Sequence, residues 1–186
     1  MRASSRFSVV ALLCLSNLCL SGLAAAQASD QVIAERVLGP QWKQLSRQAG
    51  MIFAGTVLTT ASQTVTAQAA PADRLVPGTP PSVQLSFRVD RAIAGVEPGQ
   101  ILTIREWTGA WAMQRPMRQG QRILIFLYPP SRLGLTSPVG GSMGQIALDP
   151  SGESVSALKQ ASAPVGPGVS VVQLERAIRN ARNEEE

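Results

Sequence analysis

The stretch Val83-Gln84-Leu85-Ser86-Phe87-Arg88-Val89-Asp90 decides the fold: its apolar residues alternate strictly with polar ones. A period of two buries one face of an extended chain and wets the other, so the stretch predicts a half-buried β-strand. Ala94-Gly95-Val96-Glu97-Pro98-Gly99 follows with turn chemistry. Gln100–Trp107 then reads as a second strand and Arg122–Tyr128 as a third, the last so uniformly apolar that both its faces should be buried. Three such runs in succession predict a β-protein core.

On the N-terminal side, Gly50–Thr60 carries Ile52, Phe53, Val57 and Leu58 as an earlier strand, with Gly55 where a strand bends or bulges. Prolines 71, 77, 80 and 81 make Ala69–Pro81 an irregular connection. On the C-terminal side, Pro129-Pro130 should end strand pairing because proline has no ladder donor, and Ser131–Gly141 reads as a loop. Gly144–Leu148 is strand-like, Asp149-Pro150-Ser151-Gly152 is a turn, and Glu153–Leu158 is the expected hairpin partner. Residues 50–158 are thus expected to form one β domain.

Helices flank it. Over residues 29–49, Val32, Ile33, Val37, Leu38, Trp42 and Leu45 recur at three- and four-residue spacings, interrupted by Gly39-Pro40, which predicts two short helices with one apolar face. Residues 159–169 read as a linker. In 170–186, Ser170 should cap an amphipathic helix with Val171, Leu174, Ala177 and Ile178 on its apolar stripe, followed by an acidic tail, Glu184–Glu186.

Residues 1–28 read as a secretory signal peptide: Arg2 and Arg6, an apolar run from Val9 to about Leu20, then small residues, with cleavage after Ala28 or Ala26. The run is short for a bilayer span, so an exported chain without a stable membrane span is expected, periplasmic or secreted. Both cysteines, Cys14 and Cys19, fall inside this segment, leaving no disulfide framework for the exported form. Removing Arg2 and Arg6 from 17 basic residues leaves 15 against 12 acidic ones, a net of +3 that is almost all arginine. For an exported monomer of modest charge, an acidic protein surface or an anionic ligand is a better expected partner than nucleic acid.

The chain has no histidine. Ser-His-Asp and Cys-His catalysis and histidine zinc sites are therefore impossible, and scattered carboxylates suggest no dyad, so neither enzyme activity, metal nor cofactor is expected. Gly140-Gly141-Ser142-Met143-Gly144 matches G-x-S-x-G, but that motif needs a preceding strand, a following helix and a histidine base. It reads instead as loop glycine chemistry.

One constellation carries binding chemistry: Arg105, Trp107, Trp111, Arg115, Arg118 and Arg122, with Met113 and Met117 among them. Guanidinium groups take carboxylate, sulfate or phosphate in forked geometry, and indole faces stack on flat ligands or cations. The alternative is that the tryptophans plug a barrel end while the arginines stay solvated.

Phe53-Ala54-Gly55-Thr56-Val57, the strand from Val83 running to Gly95, and Gln119–Tyr128 together resemble the netrin-like domain, the family that includes the tissue inhibitors of metalloproteinases. The likeness runs over about Gly50–Leu148 and implies an OB-type barrel of about five strands whose loops bind a partner. The family's disulfides and its inhibitory N-terminal cysteine have no counterpart in the expected exported chain. The combined expectation is a mainly β, OB-type barrel with an N-terminal helical segment and a C-terminal amphipathic helix, acting as a non-catalytic binding module. Its rivals are an assembly role through the C-terminal helix and a hydrolase of unfamiliar type.

Overall fold

A computed structural model describes residues 29–63, 81–156 and 168–183. The signal segment, most of the proline-rich connection, linker residues 157–167 and the Glu184–Glu186 tail lie outside the described residues. In chain order the elements are α1 (29–38), α2 (Trp42–Gln48), β1 (Met51–Gln63), β2 (Ser82–Ala94), β3 (Ile101–Trp107), α3 (Thr108–Ala112), β4 (Arg122–Leu127), β5 (Gln145–Ala147) and α4 (Val171–Asn183). A single 3-10 turn, Gly141–Gly144, precedes β5.

The five strands form one antiparallel sheet in the order β3-β2-β1-β4-β5. The architecture is therefore mainly β, as the alternation at Val83–Asp90 requires. β1 outruns the expected Thr60 and pairs to Gln63, opposite Ser82. Its far end has few apolar residues, so the ladder supplied by β2, rather than local propensity, extends it.

Three register irregularities between β1 and β2 bend this long pair. At Gly55, a Cβ would sit 2.5 Å from the Arg88 carbonyl oxygen, so only glycine allows the two backbones to approach there.

The sheet has an apolar core on each face. Phe53, Val57, Val83, Leu85, Phe87, Ile104, Ile123 and Ile125 fill the first, where the Phe53 and Phe87 rings meet edge-on at 5.6 Å. On the other face, Ile52, Ala54, Leu124 and Phe126 pack under Trp42, Leu45, Leu174 and Ile178 of the helices. β4 is buried on both sides, its odd residues entering one core and its even residues the other. It ends at Leu127, two residues before the proline pair.

The two edge strands, β3 and β5, are not paired with each other, so no continuous ladder closes the sheet. Instead, segment 135–139 crosses between β3 and β4 through isolated bridges. Leu135 bridges Arg105 in parallel fashion, and Pro138 bridges Leu127 antiparallel. Thr136 N–H donates to the Arg105 carbonyl (2.8 Å), Tyr128 N–H to Ser137 (3.0 Å) and Val139 N–H to Phe126 (2.8 Å).

The chain returns after Asp149 as a short hairpin: Leu148 bridges Val155 antiparallel, Asp149 N–H donates to the Ser154 carbonyl (2.9 Å) and Ser156 N–H to the Ala147 carbonyl (3.0 Å), while residues 157 and 158 of the expected partner lie outside the described residues. The turn itself is held by Asp149, whose Oδ1 accepts from the Ser151 hydroxyl and the Gly152 amide, both at 2.8 Å. Val32, expected on the apolar stripe of α1, is exposed. The stripe turns inward at Ile33, Ala34, Val37 and Leu38 instead.

Ser170 caps α4 as expected, its hydroxyl accepting from Val172 N–H at 3.2 Å. Val171, Leu174, Ala177 and Ile178 are all buried in the helix-side core. The stripe that an assembly role would need is thus already covered by the chain's own fold. Near the end of α4, Arg182 donates to the Ser46 and Ala49 carbonyls (2.7 and 2.8 Å), capping the C-terminus of α2.

Candidate functional site

Strand alternation divides the site. On β3, Ile104 and Glu106 point into the curled sheet, whereas Arg105 and Trp107 point out. Arg105 is half-buried and donates to the Ser82 hydroxyl at 3.3 Å. Trp107 is exposed, and its indole lies over Gly109: a Cβ there would come within 2.5 Å of the ring. Glycine at the first turn of α3 therefore lets the ring lie flat along the backbone.

Trp111 sits on the short helix α3, half-buried, and packs with Met117 against the core inside the sheet. Of the two tryptophans, one covers the core and the other faces solvent. Arg115 and Arg118 are exposed on the irregular segment 113–121. That segment is tied down by backbone contacts, Arg115 N–H to the Ser142 hydroxyl (3.2 Å) and Arg118 N–H to Gln121 Oε1 (3.0 Å), which leave both guanidinium groups outward.

Arg122 does not join them. Its guanidinium donates to the Ser151 carbonyl in the 149–154 turn, so it supports that turn rather than the rim formed by Arg105, Trp107, Arg115 and Arg118. Ser142, from the G-x-S-x-G match, lies in a 3-10 turn followed by β5, and its hydroxyl accepts from Arg115. Strand–serine–helix geometry is absent there.

Ion pairing is concentrated on one side of the molecule. On the helix-covered side, Arg88, Arg91, Arg176 and Arg179 lie 2.9–3.1 Å from Asp90, Glu175 or Asp30. Among the described residues, Arg115, Arg118 and Arg132 have no carboxylate partner. The reason is in the chain: no acidic residue occurs between Glu106 and Asp149.

Beneath the rim runs a partly buried polar chain. Gln145 on β5 donates to Gln114 Oε1 (2.7 Å), and the Gln114 amide donates to Glu106 Oε1 on β3. The two unpaired edge strands are therefore linked through one side chain of the intervening segment. Glu106 is fully buried and its Oε2 has no partner among the described residues. Burial raises its pKa from 4.5 to about 7, only partly opposed by the Gln114 hydrogen bond.

Glu106, Gln114 and Gln145 were not among the expected site residues. Glu106 shares the inward parity of Ile104, which was a readable signal; nothing in the sequence joins two glutamines thirty-one positions apart. Among the described residues there is no cluster of three or more potential metal ligands and no helix long and apolar enough to cross a membrane. No protein-family model, curated protein or solved structure matches this chain.

Proposed function

We propose that the protein is an exported, non-catalytic binding module that recognises an acidic protein surface or an anionic ligand through Arg105, Trp107, Arg115 and Arg118. The observation that carries this reading is the acid-free span between Glu106 and Asp149, in which Arg115 and Arg118 are exposed without a carboxylate partner and Trp107 offers an exposed indole. Exposed guanidinium groups without a carboxylate partner retain their forked donors for a ligand.

In the same reading, the sheet is an OB-type barrel of netrin-like kind. The crossing of segment 135–139 between β3 and β4 supports that closure. Trp111 and Arg122 then serve to hold the rim in place rather than to touch the ligand.

The test is affinity for a soluble polyanion, inositol hexakisphosphate, as salt is varied. Wild-type binding should weaken as ionic strength rises. The double variant Arg115→Ala/Arg118→Ala should bind about tenfold or more weakly while its melting curve stays close to wild type. Unchanged affinity in that variant would remove the reading.

A further inference from the structure

We propose that this rim docks on the headgroup layer of an anionic lipid leaflet. The inference rests on the anion-binding reading above and names its partner. Eight large apolar side chains are exposed among the described residues, and five of them, Trp107, Met113, Tyr128, Leu133 and Met143, fall in the acid-free span between Glu106 and Asp149. Met113 is 87% exposed, Leu133 63%, Met143 59% and Trp107 52%. Exposed apolar side chains scattered singly need no explanation, but the segments that carry Met113, Met143, Leu133 and Trp107 are bonded to one another and to the backbone of Arg105 and Arg115.

Their proximity follows from the contacts that stitch four chain segments together. Met113 precedes Gln114, which is bonded to Glu106 and Gln145, and Met143 follows Ser142, which is bonded to Arg115. Leu133 is at the tip of a turn closed by Ser131, whose amide donates to the Leu135 carbonyl at 2.8 Å. Leu135 in turn bridges Arg105, two positions from Trp107 on the same face of β3.

Two features favour a lipid surface over a folded acidic protein. Met113, Leu133 and Met143 stand exposed on separate connecting segments, which suits shallow insertion at the acyl boundary better than filling a partner's pocket. The charges are of one sign only. An anionic leaflet needs only positive charge, worth about a factor of five in affinity per arginine near the surface. Tryptophan at the headgroup level completes the pattern of an interfacial anchor.

The experiment is cosedimentation of the protein as its host processes it, its N-terminus checked by mass spectrometry, with vesicles of phosphatidylglycerol and phosphatidylcholine against phosphatidylcholine alone. Binding is expected only to the anionic vesicles, and salt should reduce it. Met113→Ser/Met143→Ser should lower it about tenfold without altering the melting curve or the affinity for inositol hexakisphosphate, since neither methionine binds the anion. Arg115→Ala/Arg118→Ala should lower both. A protein that binds the soluble polyanion but not anionic vesicles would overturn the lipid proposal and leave an acidic protein as the partner of the same rim. Equal binding to both vesicle types, insensitive to these substitutions, would overturn it as well. Loss of both interactions in the wild type would remove the underlying reading instead.

Discussion

Gln114 donates its side-chain amide to Glu106 at the inner edge of β3, and this contact is the only hydrogen bond made by the Glu106 side chain among the described residues. A carboxyl with one donor and no solvent is poorly placed to ionise. Its pKa of about 7 fixes the sign of a stability change. Between the ordinary 4.5 and about 7, the unfolded chain releases this proton while the folded chain retains it, so stability should fall as pH rises through that window. Roughly 3 kcal/mol is at stake as an upper bound. Glu106→Gln keeps the shape without the charge, and it should flatten the decline and melt higher than wild type at pH 8. A wild-type denaturation midpoint that rises from pH 5 to pH 8 would contradict this assignment.

Asp149 acts in the opposite sense. Its contacts with the Ser151 hydroxyl and the amides of Gly152, Glu153 and Ser154 hold its pKa below the usual aspartate value. The stability it contributes is complete above the ordinary pKa and is lost as pH falls through the lowered one. Asp149→Ala should therefore destabilise at pH 7 and have little effect in strong acid. Urea unfolding at both pH values checks this.

Arg182 joins the two ends of the chain by capping α2 from α4. Arg182→Ala leaves the carbonyls of Ser46 and Ala49 without their charged donor and should cost about 2 kcal/mol in denaturant unfolding. A loss below about 0.5 kcal/mol would mean that solvent replaces the cap fully.

The two tryptophans of the rim should behave differently. Trp111→Ala removes an indole half-buried on the inner core and should cost roughly 2 kcal/mol, less than a fully buried indole. Gly109→Ala pushes the Trp107 ring off its seat without opening a cavity. Quenching by acrylamide should then rise while the melting temperature stays within a few degrees. Equal stability losses in both variants would place both rings in the core.

The exported form is expected to begin between Gln27 and Asp30. With Cys14 and Cys19 removed, its melting temperature should not respond to reductant. A reductant-dependent midpoint in the purified chain would show that cysteine persists.

The mainly β class was legible in the residues, because period-two alternation at Val83–Val89 and the apolar run at Ile123–Leu127 leave strand burial as the simplest way to cover those side chains. The Ser170 cap and the apolar stripe of α4 were legible too, since helical spacing depends only on local geometry. Tertiary structure alone decided that β1 extends to Gln63, because its polar end is held by β2 rather than by its own residues. It also separated Arg122 from Arg115 and Arg118, placed Trp111 on the core but Trp107 outside, and brought Gln145 to Gln114 and Glu106. Those outcomes depend on which distant segments curl together, and backbone pairing across the whole sheet, not the spacing of residues along the chain, sets that arrangement.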